Sequence, residues 1–196
     1  MVPDEDSIAA AQAYEDHLVG AVFGPWAQRV VDLGAPKPGE TVLDVACGTG
    51  IGTRLVAPMI SPAGCVISTD LDAGMIAVGK KSAEAANLPA DVTLNWHVRP
   101  AEQLSVDNAS IDLCVYMQGP QFVTDPPAAM KAAHRALKPD GRLAASMWNK
   151  MPTNKGHHAI AEALAARGIK PAMKPFSMGN PDVARSLFAD AGFDIT

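Results

Sequence analysis

Apolar side chains in the first 35 residues recur at the spacing of an amphipathic helix. Gly24-Pro25 interrupts the stretch, so the pattern predicts a helix break at this pair and a second helix that opens near Pro25. After a loop at 35–39, the apolar positions become short continuous runs with β-branched residues, which is typical of buried parallel strands. Five strands are predicted, at 41–46, 65–70, 92–98, 111–116 and 142–148.

Helical patterns separate these strands, with Asp72 as a plausible N-cap, Pro126-Pro127 in the first turn of a helix at 125–137, and a turn at 138–141 before the fifth strand. Strands that alternate with helices predict an α/β fold with a Rossmann-like, doubly wound parallel sheet. Ligands of such sheets bind beyond the carboxyl ends of the strands. The segments expected around that crevice are 44–52, residue 70, 99–102 and 116–119. Beyond residue 148 the pattern predicts two further helices, near 157–167 and 181–191.

The amino-acid composition argues against several classes of protein. The chain has 196 residues, of which 48% are hydrophobic and 19% charged, and its net charge is −5. This profile is globular, lacks the basic stripe of a nucleic-acid surface, and contains no apolar run near the ~20 residues that span a bilayer. The acidic start argues against a secretory leader. Cys47, Cys65 and Cys114 match neither a zinc site nor a disulfide framework, so no metal is predicted and a reducing cytoplasm is expected.

The strongest chemical signal is the glycine-rich stretch after the first strand. Gly48, Gly50 and Gly52 allow a ligand to approach the backbone closely, because no Cβ stands in the way. A dinucleotide-binding turn has its third glycine one residue later, where this chain has Thr53. The spacing therefore argues against a bound pyrophosphate.

Two aspartates define the ligand further. Asp44 precedes the glycines, and a carboxylate there repels a pyrophosphate but suits an ammonium group. Asp70 ends the second strand, where a carboxylate accepts hydrogen bonds from ribose hydroxyls. A ligand with a ribose and an ammonium group, but without phosphate, is S-adenosylmethionine.

Several motifs in order extend this interpretation. They are Val42-Leu43-Asp44-Val45-Ala46-Cys47-Gly48-Thr49-Gly50, Ser110-Ile111-Asp112-Leu113 and Leu137-Lys138-Pro139-Asp140-Gly141-Arg142-Leu143. On these motifs, residues 41–148 resemble a class I S-adenosylmethionine-dependent methyltransferase, similar to the branch that includes quinone-biosynthesis and small-molecule methyltransferases. The resemblance implies S-adenosylmethionine as cofactor, S-adenosylhomocysteine as product, and methyl transfer to a small molecule by direct displacement.

The resemblance also implies roles for individual residues. The methionine part of the cofactor is expected to contact Asp44, Ala46, Cys47, Gly48 and Gly50. The ribose and adenine are expected near Asp70, Leu71, Met75, Ala101 and Glu102, and the route of the methyl group near Met117 and Gln118. The predicted organisation is an N-terminal helical cap at 1–38, a cofactor-binding core at 39–149 and a helical C-terminal segment at 150–196.

The chain departs from the family pattern in two places. Pro100 stands where relatives often carry an acidic residue for the adenine amino group, and its side chain cannot accept a hydrogen bond. The N–H of Ala101 or Glu102, or the Glu102 carboxylate, is left to contact adenine, and weaker cofactor binding or a shifted adenine is expected. The family sheet has seven strands, but only five can be placed here, and the last two are expected to be missing through truncation. Strand five then has a bare edge, unless another chain or the tail of this chain covers it, and a homodimer is one expected cover.

Some alternatives stay open. No general base is identified; His17 and Tyr14, on the predicted cap, are weak candidates. Gln118 and Gln121 are equally consistent with substrate binding and with a turn. A non-catalytic binding or assembly protein on the same fold, or an NAD-linked oxidoreductase, remains an alternative function. The methyl acceptor cannot be read from the sequence.

Overall fold

The computed structural model describes residues 2–196. Its strands are β1 (Thr41–Val45), β2 (Cys65–Asp70), β3 (Thr93–Val98), β4 (Ile111–Met117) and β5 (Leu137–Ser146). They form one all-parallel sheet in the order β3-β2-β1-β4-β5. The strand order reverses between β1 and β4, which places the ligand crevice at their carboxyl ends. The predicted doubly wound α/β fold with five parallel strands is confirmed.

Seven α-helices accompany the sheet in the described residues: α1 (Glu5–Tyr14), α2 (Gly24–Gly34), α3 (Ile51–Val56), α4 (Ala73–Ala85), α5 (Pro126–Ala136), α6 (Lys155–Ala165) and α7 (Pro181–Asp190). Short 3₁₀ segments lie at Ala57–Met59, Ala101–Gln103, Pro120–Phe122, Met151–Thr153 and Lys174–Phe176. The predicted N-cap is confirmed, since Asp72 accepts from the N–H of Gly74. Asp125 also caps a helix, because its side chain accepts from the N–H of Ala128. Within residues 2–196, no helix has both the length and the apolar character needed to cross a membrane.

Side chains alternate between two cores, one on each face of the sheet. On one face, Leu43 of β1 and Tyr116 of β4 pack with α5. On the other, Val42 and Val115 pack with residues that include Val56 of α3. Asp44 has the same strand parity as Val42, so its carboxylate lies on the α3 face of the sheet, below the glycine-rich turn.

The predicted helix break at Gly24-Pro25 is wrong, although a second α-helix does begin there. The chain remains helical from Glu5 to Gly34, with a π-helical segment at Glu15–Phe23 between α1 and α2. The N–H of Gly24 bonds to the carbonyl of Val19, five residues back. Pro25 then lies in the first turn of α2, directly after the π-helical segment, and its missing N–H leaves one backbone hydrogen bond of the continuous helix unmade.

Strand β5 begins earlier than predicted and contains an irregularity. Leu137 pairs with Ile111 and Arg142 with Leu113, so residues 138–141 bulge out of the strand at the expected turn. Beside β5 runs a groove of about 900 Å³, bounded by α7 and the last five residues and lined by apolar side chains such as Leu143 and Phe188. Because β5 is the last strand of the described sheet, this groove lies at the edge predicted to be bare.

Candidate cofactor site

The turn after β1 has the backbone conformation that the glycines predict. Gly48 and Gly50 have positive φ angles of 55° and 78°, and Ala46 adopts the same left-handed region with φ of 51°. A non-glycine residue rarely occupies this region unless its surroundings fix it. The turn is held by the N–H of Cys47, which donates to the carbonyl of Thr69 at 3.0 Å. The backbone at the carboxyl end of β1 is therefore tied to β2 and open to close approach.

Asp44 lies beneath this turn and is 1% exposed. Thr53 of α3 donates its hydroxyl to Oδ2 of Asp44 at 2.8 Å, and Ser68 lies 2.7 Å from the same hydroxyl. Oδ1 is buried and has no protein partner. Burial raises the pKa of Asp44 to about 7, because the charged form is poorly solvated there, although the Thr53 hydrogen bond acts in the opposite direction. The unpartnered oxygen of Asp44 is suited to accept a hydrogen bond from an ammonium group, and the positive charge of that group would favour the ionised form of Asp44.

Gly52, in the first turn of α3, explains how the helix approaches Asp44 so closely. A Cβ at this position would overlap the methyl carbon of Met117 and come within 2.9 Å of Oδ2 of Asp44. Its φ angle is not positive, so the requirement for glycine here is steric. Met117 thus extends from the end of β4 to the start of α3, as expected for a residue at the crevice.

Asp70 connects the end of β2 to the same turn. Its Oδ2 accepts from the N–H of Gly48 at 2.8 Å, and its Oδ1 accepts from the N–H of Asp72 at 2.9 Å. Burial raises the pKa of Asp70, opposed by these backbone hydrogen bonds. A carboxylate oxygen accepts more than one hydrogen bond, so both oxygens retain capacity for hydroxyl donors.

Helix α1 and the π-helical segment cover the turn. Tyr14 stacks on Phe23 with 5.2 Å between ring centroids and lies against Gly48. Burial, with smaller contributions from the nearby charges of Asp70 and Glu15, raises the pKa of Tyr14 to about 12. The hydroxyl therefore stays protonated at neutral pH. His17 is exposed.

An ion pair fixes this cover in place. The guanidinium of Arg54 lies 2.7 Å from Oε1 of Glu15, and both side chains are largely buried. A second nitrogen of Arg54 donates to the carbonyl of Thr49 in the glycine-rich turn at 2.6 Å. Sequence reasoning missed this link, because 39 residues separate Glu15 from Arg54 and no local pattern connects them.

The residues predicted around ribose and adenine lie on two neighbouring segments. Leu71 is 69% exposed and Met75 is half-buried in the first turn of α4, whereas Ala101 is buried. Glu102 has a structural partner that the sequence did not indicate: its Oε1 accepts from the N–H groups of Thr124 and Asp125, at 2.9 and 3.0 Å. One Glu102 oxygen is thus committed to the loop before α5.

The carboxyl end of β4 carries the remaining predicted residues. Gln118 has a left-handed φ of 53°, and its N–H donates to the carbonyl of Ser146 at 2.8 Å. Gln121, 3% exposed, donates to the side-chain oxygen of Gln118 at 3.0 Å. Met117 and Gln118 therefore lie at the crevice beside β5, and Gln121 supports them from the segment that follows.

The other reactive residue types form no comparable site. All three cysteines are free; burial raises the pKa of both Cys47 and Cys114, so their thiols stay protonated. Within residues 2–196, no group of three or more His, Cys, Asp or Glu side chains is arranged to hold a metal ion. The site consists instead of two carboxylates, an open backbone turn and a helical cover.

Two features of these residues fit S-adenosylmethionine as the ligand. The unpartnered oxygen of buried Asp44 matches a cationic amino group. Gly48 borders open space, because a Cβ there would meet only Tyr14, at 3.8 Å, whereas Gly50 packs against the ring of Trp96. A family model described as a methyltransferase domain matches residues 43–145. This is more than half of the chain, so the chain belongs to the class I S-adenosylmethionine-dependent methyltransferase family.

Individual relatives agree with this class. The ubiquinone/menaquinone biosynthesis C-methyltransferase UbiE of Pseudomonas syringae pv. tomato is 27% identical over 91% of this chain and 75% of its own length. The enzyme of the same name from Dinoroseobacter shibae is 33% identical over 70% of this chain and 54% of its own length. The chain spans about half the length of most curated relatives it matches. The crystal structure of a SAM-dependent methyltransferase from Aquifex aeolicus, 19% identical, superposes with a TM-score of 0.72 over 96% of this chain and 89% of that chain.

Proposed function

We propose that this chain transfers a methyl group from S-adenosylmethionine to a small-molecule acceptor by direct displacement. The observation that carries the proposal is the unpartnered oxygen of buried Asp44 beside the left-handed turn, which is open at Gly48. The relatives named for ubiquinone/menaquinone biosynthesis support a small-molecule acceptor. The net charge of −5 argues in the same direction, against a nucleic acid.

Each part of the site has a task in this function. Asp44 would hold the ammonium group, and Asp70 the ribose hydroxyls, with Leu71, Met75, Ala101 and Glu102 toward the adenine. When bound, S-adenosylmethionine supplies a methyl group already activated by a sulfonium sulfur. The chain therefore contributes mainly orientation and exclusion of water, and orientation alone supplies up to about 7–11 kcal/mol in favourable cases.

Helix α1 and the π-helical segment would shield the bound cofactor from solvent. Tyr14 over Gly48 and the Glu15–Arg54 ion pair shield the turn from solvent, and Met117 and Gln118 border the side from which the acceptor approaches. A hydroxyl with a pKa of about 12 donates a hydrogen bond rather than accepting a proton at neutral pH. The proposed role of Tyr14 is thus to bind and shield. A role of His17 as general base remains a prediction.

Calorimetric titration with S-adenosylhomocysteine and with NADH tests the cofactor. We expect S-adenosylhomocysteine to bind and NADH not to bind. Asp44→Asn is expected to weaken the affinity about 10- to 100-fold, the value of a hydrogen bond to a charged group. Asp140→Asn, at an exposed position in the β5 bulge, is the matched control and should bind as wild type does. Binding of NADH alone would instead indicate the oxidoreductase alternative.

Release of S-adenosylhomocysteine during incubation with S-adenosylmethionine and an acceptor panel tests catalysis. Turnover with any acceptor supports the enzyme, while tight cofactor binding without turnover across the panel supports the non-catalytic binding protein. The two alternatives differ only in this readout, since both require the same cofactor site.

A second copy of the chain is the proposed cover for β5. Support comes from the position of β5 at the sheet edge and from the groove of about 900 Å³ beside it. The bulge with Lys138 and Pro139 disfavours pairing along the first half of the strand, which leaves Arg142 to Ser146. Sedimentation velocity should detect a dimer; a monomer at every concentration contradicts this proposal.

Cytoplasmic location also stays a prediction, supported by the three free cysteines.

A further inference from the structure

Backbone strain marks the carboxyl end of β4. Gln118 is held in the left-handed region, with φ of 53°, where glutamine is uncommon. Its backbone N–H donates to the carbonyl of Ser146 at 2.8 Å, and its amide nitrogen lies 3.5 Å from the hydroxyl of the same serine. Strain of this kind persists where surrounding bonds enforce it, and it concentrates at functional sites. The fold therefore fixes the Gln118 side chain beside the end of β5.

Gln121 adds a polar atom without a partner. It lies on the 3₁₀ segment Pro120–Phe122 and is 3% exposed. Its amide nitrogen donates to the side-chain oxygen of Gln118 at 3.0 Å, but its own amide oxygen is buried and accepts no hydrogen bond from the protein. A buried carbonyl oxygen requires a donor, and a bound ligand can supply one here without rearranging the fold.

The surroundings of this amide pair are those expected for the acceptor side of the site. Met117, which reaches α3, immediately precedes Gln118. Trp148, two residues beyond β5, contacts His157 and Phe176, with ring centroids 4.7 and 6.3 Å from its own. Ser177, next to Phe176, lies 3.5 Å from the backbone carbonyl of Gln121, so the aromatic group and the amide pair are neighbours.

We propose that Gln118 and Gln121 form a polar subsite that binds a hydroxyl or amine hydrogen on the methyl acceptor. Gln121 accepts this hydrogen through its free amide oxygen, and Gln118 holds the Gln121 amide in position. The inference rests on the proposed methyltransferase function and adds the acceptor's chemical class, a molecule that bears an O–H or N–H donor. It also assigns a specificity-determining role to Gln121, which otherwise reads as a turn residue.

A pair of probes in which a methyl group replaces the donor hydrogen tests the proposal, since a preference due to size alone would persist in a variant without the Gln121 amide. Because an aromatic group borders the subsite, 4-methylphenol and 4-methylanisole are suitable, and each is titrated calorimetrically with and without S-adenosylhomocysteine. We expect wild type to bind 4-methylphenol about tenfold more tightly than 4-methylanisole. Gln121→Leu, close in size and without polar atoms, should lower this preference to about onefold. Gln28→Ala, at an exposed position on α2, should retain it.

Two further measurements separate binding from folding and from the cofactor. The melting temperature of Gln121→Leu should remain within about 4 °C of wild type, since only one neutral hydrogen bond is lost. Its affinity for S-adenosylhomocysteine should be unchanged; no binding of S-adenosylhomocysteine by either protein refutes the cofactor proposal instead. Equal affinity of wild type for the two probes, no binding of either, or an undiminished preference in Gln121→Leu overturns the subsite.

Discussion

Gly52→Ala provides the most direct test of how the site is packed. The new Cβ would overlap the methyl carbon of Met117 and approach Oδ2 of Asp44 to 2.9 Å, so both side chains must move. In a helix, alanine is favoured over glycine by about 1 kcal/mol, whereas overpacking costs about 1–3 kcal/mol. We therefore expect a net loss of about 0–2 kcal/mol in the free energy of unfolding.

The effect on cofactor binding should be larger than the effect on stability. Displacement of the Asp44 carboxylate removes a charge-assisted interaction with the ammonium group, worth about 1.5–3 kcal/mol, or about 10- to 100-fold in affinity. Calorimetry with S-adenosylhomocysteine and urea unfolding measure the two quantities on the same sample.

Gly156→Ala is the matched control, because it changes a glycine to alanine in the first turn of α6, where nothing lies within 4 Å of the added Cβ. It should raise the free energy of unfolding by up to about 1 kcal/mol and leave binding unchanged. If Gly52→Ala binds S-adenosylhomocysteine as tightly as wild type, the assignment of Asp44 and Met117 to the cofactor site is wrong.

Three further predictions follow from individual side chains. The folded-state pKa of Asp44 is about 7, above its ordinary 3.8, so Asp44 stabilises the folded chain most at low pH, and this contribution of up to about 4 kcal/mol is lost as pH rises toward 7. The free energy of unfolding in urea, measured against pH, should therefore fall with a slope that Asp44→Asn flattens. An equal slope in the variant would contradict the raised pKa. Glu15→Ala leaves the largely buried Arg54 guanidinium without its carboxylate partner and should lower the free energy of unfolding by about 2–4 kcal/mol. The control Glu162→Ala, which alters the exposed His158–Glu162 pair, should change the free energy of unfolding by less than about 0.5 kcal/mol. Equal effects of the two variants would refute the ion-pair argument. Glu102→Ala removes the acceptor for two N–H groups before α5 and should cost about 1 kcal/mol, again read by urea unfolding, with an unchanged value counting against this structural role.

The parts of the fold that the sequence predicts correctly depend on local signals. Short apolar runs with β-branched residues identify all five strands, and Asp72 caps the helix expected of it. The glycine-rich turn is likewise encoded in neighbouring residues. These features arise from interactions within a few residues along the chain, which is why a single sequence carries them.

Most of the features that the sequence does not predict depend on contacts between distant segments. The Glu15–Arg54 pair joins residues 39 apart, and the π-helical segment before Pro25 replaces the predicted break. The second hydrogen-bonding role of Glu102 likewise depends on a loop 22 residues away. Tertiary contacts decide the Glu15–Arg54 pair and the structural role of Glu102, on which composition and periodicity carry no information, whereas the π-helical segment is held by local hydrogen bonds such as that from Gly24 to Val19.

The distribution of unsatisfied polar atoms gives an independent argument for where this chain binds its ligands. Within residues 2–196, the buried side-chain oxygens without a partner belong to Glu15, Asp44, Thr49, Thr69, Tyr116 and Gln121. All of them lie near the carboxyl ends of β1, β2 or β4, or on the cover that Arg54 ties to the turn. Each costs about 1–3 kcal/mol, so six together are comparable to the whole stability of a typical domain, about 5–15 kcal/mol. Bound molecules and ordered water both supply partners for such atoms, and the proposed cofactor site and the proposed Gln118–Gln121 subsite lie at this end of the sheet.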